Sequence, residues 1–78
     1  MKEIVIDIIK NHLAFKQKVT TNSKISSLSI DSFSFIEILL DIEEYYQIRF
    51  NDEDIDIKKY NYVFDILRKV EELKCTKK

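Results

Sequence analysis

The run Leu28-Ser29-Ile30-Asp31-Ser32-Phe33-Ser34-Phe35-Ile36-Glu37-Ile38-Leu39-Leu40-Asp41-Ile42-Glu43-Glu44-Tyr45-Tyr46 decides the fold. Beyond Asp31 its apolar residues recur every three or four positions, the period of a helix with one buried face. Asp31 is a good N-cap, because its carboxylate can accept from backbone N–H groups two or three residues on. The spacing predicts a helix that begins near Asp31 or Ser32 and runs to about Gln47. Phe35, Ile38, Leu39, Ile42, Tyr45 and Tyr46 form the stripe expected to face inward. Phe33, Ile36, Glu37, Leu40, Asp41 and Glu44 share the other face, where apolar residues mix with acids. Apolar residues at helical spacing on an outer face make one strip, and such a strip suits a docking surface.

On the N-terminal side, Val5, Ile8, Ile9 and Leu13 repeat the helical period, with Ile4 and His12 flanking, so a first helix is expected over residues 3–15. Lys16 to Ser29 is rich in Thr, Ser, Asn and Lys and reads as a long loop pinned by Val19, Ile25 and Leu28. Loops this long in compact domains are uncommon and often functional. On the C-terminal side, Asn51 to Asp56 is short and acidic, a single turn or brief helix carrying Ile55. A last helix is expected over about Tyr62 to Lys74, capped by Asn61 and striped with Val63, Ile66, Leu67, Val70 and Leu73. Lys74, Lys77 and Lys78 at its end carry the sign a helix C-terminus prefers. The expected fold is all-α, a small bundle of three main helices plus one short helix, in one domain spanning 1–78.

Composition narrows the function classes. The 78 residues contain no Gly and no Pro, which argues against tight hairpins and Gly-rich phosphate loops. The single cysteine, Cys75, excludes an internal disulfide and a Cys-based zinc site, and it reads as incidental. Asn51-Asp52-Glu53-Asp54-Ile55-Asp56 lacks the Gly turn and distal Glu of a calcium loop, so no metal site is expected. No apolar run approaches the roughly 20 residues needed to span a membrane. The N-terminus alternates charge and Ile too early for a secretory leader, and the expected location is the cytoplasm.

The net charge of −1 hides a segregation. Residues 1–30 carry five Lys and two acids, residues 31–56 one Arg and nine acids, and residues 57–78 seven Lys/Arg and three acids, giving +3, −8 and +4. A segment at −8 steers a basic partner and repels nucleic acid. That counts against a helix-turn-helix reading, in which the acidic helix would have to enter a groove.

Ser32 would stand at the first turn of the central helix with its hydroxyl toward solvent. A nucleophilic serine needs a base within hydrogen-bond reach. The one histidine, His12, lies in the first helix, and there is no G-x-S-x-G elbow. A phosphodiester on the Ser32 hydroxyl, by contrast, would sit favourably at a helix N-terminus, whose free N–H groups and dipole stabilise negative charge.

The quoted run resembles the signature of acyl and peptidyl carrier proteins. In that family an Asp-Ser-Leu motif opens the second helix, followed by a hydrophobic–Glu pair and apolar positions ending in Glu-Glu and an aromatic. Ile36-Glu37, Glu43-Glu44 and Tyr46 fall at those places, Val5, Ile8, Ile9, Leu13 and Phe15 fit the first helix, and Tyr60 to Val70 fit the last. The resemblance implies that Ser32 accepts 4′-phosphopantetheine from coenzyme A through a phosphopantetheinyl transferase and then carries an acyl group as a thioester. It implies that Asp31, Phe33, Ile36, Glu37, Leu40 and Glu44 contact the transferase and the acyl-loading and condensing or transferring enzymes. It also implies a monomer that catalyses nothing itself, and a cargo that folds back near Ile42, Ile55 and Tyr60. Three positions depart from the pattern: Ser29 stands where the family usually has Gly, Asn51 where it often has Pro, and Phe33 where it has Leu. Asp-Ser-Phe also occurs in D-alanyl carrier proteins, although the segment from Ile48 to Tyr62 is short for that subclass and lacks its tryptophan. A specialised stand-alone acyl carrier, serving fatty acid, polyketide or other specialised biosynthesis, fits best. A D-alanyl or aminoacyl/peptidyl carrier, or an unmodified protein-binding module of the same fold, remains the alternative.

Overall fold

The computed structural model describes residues 2–13 and 17–76, without the side chains of residues 75 and 76. Three helices, α1 (Lys2–Asn11), α2 (Ser32–Tyr46) and α3 (Val63–Thr76), are joined by loops that carry 3-10 turns at Ile25–Leu28, Asp52–Asp54 and Ile57–Lys59. The architecture is all-α, as expected, but the single short helix expected over Asn51 to Asp56 is two successive 3-10 turns. Asp56 separates them by accepting the Lys58 N–H on its carboxylate at 3.0 Å, which caps the second turn instead of extending the first.

Each helix buries the stripe its period marks out. Val5 and Ile9 of α1, Phe35, Ile38, Leu39 and Ile42 of α2, and Val63, Ile66 and Val70 of α3 are buried in one cluster. Ile8 and Leu13, Tyr46, and Leu67 and Leu73, expected in the same stripes, are only partly covered at its edge. Tyr45, expected inside, is 58% exposed and stands edge-on to Tyr46 at 4.9 Å. Tyr46, four residues beyond Ile42, takes the place against the core instead and packs partly on the cluster at the end of α2. Phe50, which no periodic pattern marks, is buried, and its N–H donates to Glu43 Oε2.

α1 ends at Asn11, short of the expected 15, and residues 14–16 lie outside the described residues together with the expected role of Phe15. His12 and Leu13 donate to the carbonyls of Ile9 and Lys10, three residues back rather than four, which tightens the chain out of the helix. The long loop is pinned by buried Val19, Ile25 and Leu28, as expected. It also does something no local pattern announces: its carbonyls cap α3. Val63 N–H donates to Ser23 O and Phe64 N–H to Thr21 O, each at 3.0 Å, while Ile25 N–H donates to Asn61 O at 2.9 Å. Asn61 is therefore not the side-chain cap expected of it. The Asp65 carboxylate reaches back instead, accepting the N–H groups of Asn61 and Tyr62 at 2.9 Å. The expectation for Cys75 concerns a side chain outside the described set; Lys77 and Lys78 lie outside it as well.

Candidate attachment site and docking face on α2

The N-terminus of α2 is built by Asp31. Its backbone is extended and its Oδ1 accepts the Ser34 N–H at 2.8 Å, while its carbonyl accepts the Phe35 N–H at 2.9 Å. The Ser34 N–H, and then the Ser34 hydroxyl, hold the Asp31 carboxyl below the usual carboxylate range. The first N–H groups of a helix have no intrahelical partner. Asp31 takes those of Ser34 and Phe35, which leaves those of Ser32 and Phe33 for an anion.

Ser32 is the first helical residue and is exposed. Among the described residues its hydroxyl meets no acid or base. His12 is engaged elsewhere: Nε2 stands 2.7 Å from Asp41 Oδ2 and Nδ1 3.6 Å from Glu37 Oε1. Asp41 is nine residues beyond Ser32, about 13 Å along a helix axis, so the imidazole and the serine are not brought together.

The turn that delivers the chain to this cap is made by Ser29. It closes the Ile25–Leu28 turn in the left-handed region, at φ 58° and ψ 39°. Glycine enters that region at no steric cost and serine does not. The same conformation recurs at Gln47 (φ 57°), where α2 stops and the N–H groups of Gln47 and Ile48 return to Glu43 O.

The outer face of α2 presents Phe33, Ile36 and Leu40 at 68%, 39% and 51% exposure, so the strip expected from the spacing is on the surface. Its acids are not equivalent. Glu37 and Asp41 face His12, Glu43 is turned to the Phe50 N–H, and the Glu44 carboxylate meets no partner among the described residues. An open groove of about 590 Å³ runs along the C-terminal end of this face, lined by Leu40, Glu43, Glu44, Gln47, Ile48 and Arg49.

Behind the strip, Ile42 and Tyr60 are buried in the core and Ile55 packs partly against it. The Tyr60 ring meets Phe35 at 5.2 Å, and its hydroxyl donates to the Asp54 carbonyl at 2.8 Å. Burial pushes the Tyr60 phenol up to about 12, with the negative charges of Asp54 and Glu72 adding to the shift. Lys69 pairs with Asp54 at 3.3 Å and ties this segment to α3. His12 and Phe50 are the residues here that sequence reasoning undervalued, since neither shows its partner through local spacing.

Among the described residues no grouping of His, Cys, Asp and Glu could hold a metal ion, and no helix is long and apolar enough to cross a membrane. No protein-family model matches the chain, and no solved structure gives a significant match. A curated protein of Mycoplasmopsis pulmonis, an acyl carrier protein homolog, is 36% identical over 53 residues, covering 67% of this chain and 73% of that protein. That likeness spans most of both chains and agrees with an all-α fold in which a serine next to the Asp31 cap opens the central helix, so the chain belongs to the acyl carrier protein family.

Proposed function

We propose that Ser32 is the attachment point of a 4′-phosphopantetheine arm and that the chain carries an acyl group on that arm as a thioester, catalysing no reaction itself. The observation that supports this reading is an exposed serine, next to the Asp31 cap, at the head of the helix whose outer face bears Phe33, Ile36 and Leu40. The arm's phosphodiester fits the residues present. The N–H groups of Ser32 and Phe33 remain for its oxygens at the positive end of the α2 dipole, and the Asp31 carboxylate is drawn away to Ser34. When attached, the arm supplies a thiol for the thioester. Ser32 contributes the oxygen that bonds to phosphorus, and Asp31 holds the first turn of α2 in place.

The strip of Phe33, Ile36, Glu37, Leu40 and Glu44 is the surface for the phosphopantetheinyl transferase and for the enzymes that load and remove the cargo. Its apolar residues supply contact area and its acids steer a basic partner. Incubation with a broad-specificity transferase and coenzyme A, followed by intact-mass spectrometry, tests the reading. A mass gain of one phosphopantetheinyl group in the wild type and none in Ser32→Ala is expected. An unmodified wild type, or an equal gain in Ser32→Ala, would overturn it. A specialised acyl carrier is the subclass proposed. Loading by a D-alanine-activating enzyme in preference to acyl donors would move the chain to the D-alanyl class.

A further inference from the structure

The His12 ring sits just past the end of α1, its side chain only 20% exposed, between two carboxylates of the α2 outer face. Nε2 is 2.7 Å from Asp41 Oδ2 and Nδ1 is 3.6 Å from Glu37 Oε1, and both acids are about half exposed. Glu37 and Asp41 are four residues apart and so lie on one helix face. α1 packs against α2 and α3. From α2 the charged groups facing the ring are Glu37 and Asp41, and among the described residues no charged side chain of α3 stands within ion-pair distance of it.

We propose that His12 sets the charge that α2 presents to its partners. This inference rests on the proposed use of the α2 strip. A neutral imidazole has one N–H and satisfies one carboxylate as a donor. A protonated imidazole donates from both nitrogens, holds Glu37 and Asp41 in a single bridge, and cancels one of their two charges. Glu43 is already turned inward to Phe50, so among the described residues Glu44 is then the acid of this strip whose carboxylate is left unengaged for a partner. Histidine changes charge between about pH 5 and 8. The attraction of α2 for a basic partner is therefore weaker with the imidazole protonated than with it neutral. His12 touches no substrate and is a positioning residue, acting through Glu37 and Asp41.

The test compares the full-length wild type, His12→Gln and His12→Lys as substrates of a broad-specificity phosphopantetheinyl transferase at about pH 8 and about pH 6. Taking the ratio of wild-type to His12→Gln KM cancels the transferase's own titration. That ratio should be close to unity at the higher pH and rise about two- to fivefold at the lower, the scale of exposed charge pairs, with kcat unchanged. His12→Lys, with its charge fixed, should show the raised KM at both. Asp41→Asn, at an exposed position, removes the shorter contact and should flatten the profile even if the His12 variants fail to fold. A ratio independent of pH overturns the proposal. Carbon NMR of the side-chain carboxyls gives a readout that needs no transferase: Glu37 and Asp41 should shift in step with the His12 imidazole, and carboxyl shifts indifferent to it also overturn the proposal. A chain that is never modified at Ser32 overturns the attachment reading instead, and the carboxyl titration then decides the role of His12 by itself.

Discussion

Replacing Ser29 with glycine should stabilise the fold by about 0.5–1 kcal/mol. Ser29 holds φ at 58° and ψ at 39°. There a Cβ crowds the following carbonyl oxygen, at a cost of roughly 1–2 kcal/mol. Glycine relieves that strain but gives the unfolded chain more freedom, which takes back about 0.4–1 kcal/mol. The Ser29 side chain is exposed and makes no hydrogen bond among the described residues, so nothing else is lost and the difference is favourable. With a urea slope of roughly 1 kcal/mol per molar for a chain this small, the unfolding midpoint should rise by about 0.5–1 M in Ser29→Gly. Ser29→Val should lower it, because β-branched residues tolerate the left-handed region least. Ser27→Gly is the control. Its hydroxyl donates to the Lys24 carbonyl at 2.9 Å within the 3-10 turn, so glycine there should destabilise. A midpoint in Ser29→Gly at or below the wild type, with Ser29→Val unchanged, would refute the reasoning: the backbone at Ser29 would then carry no strain.

Ile42 is fully buried, and Ile42→Ala should cost about 2–5 kcal/mol, read as a collapse of the thermal melt; a loss under about 1 kcal/mol would contradict its place in the core. Tyr60 titrates at about 12 in the folded chain against a usual 10. The stability it lends is whole below about pH 10 and drains away toward about pH 12, at roughly 1.4 kcal/mol per pH unit. Tyr60→Phe should lose that alkaline limb, and ultraviolet titration of the tyrosinate band should lose its latest-ionising phenol in that variant. The Asp31 carboxyl is lowered, so its contribution is present above the usual aspartate range and lost as pH falls through the lowered folded value; Asp31→Asn should flatten that acid limb in denaturant melts. Glu44→Lys should raise the transferase KM for the chain at low salt while moving the melt by no more than about 0.5 kcal/mol; unchanged kinetics would remove Glu44 from the docking face.

The helix around Ser32 was legible because its signals are local. Asp31 and Ser34 are three residues apart, so the cap can be read from neighbours, and the period of Phe35, Ile38, Leu39 and Ile42 marks the buried face without reference to the rest of the chain. The same period puts Phe33, Ile36 and Leu40 outside, where they are found. Tyr45 escaped this logic at the helix end, where Tyr46 takes the place against the core. Asn61 looked like a cap by residue type, but the N–H groups it would have served were already met by Thr21, Ser23 and Asp65.

The sequence by itself determined three amphipathic helices, a segregated charge and a serine next to the Asp31 cap at the head of the acidic helix, since all of these follow from spacings of three or four residues. Tertiary structure alone decided which chain segment caps α3, that Ser29 and Gln47 must stand left-handed, that Phe50 is core, and that His12 reaches across 25 and 29 residues to Glu37 and Asp41. The physical reason is range. Helical period and capping act within one turn, whereas a carbonyl, a ring or an imidazole can find its partner only after hydrophobic burial has brought distant segments together.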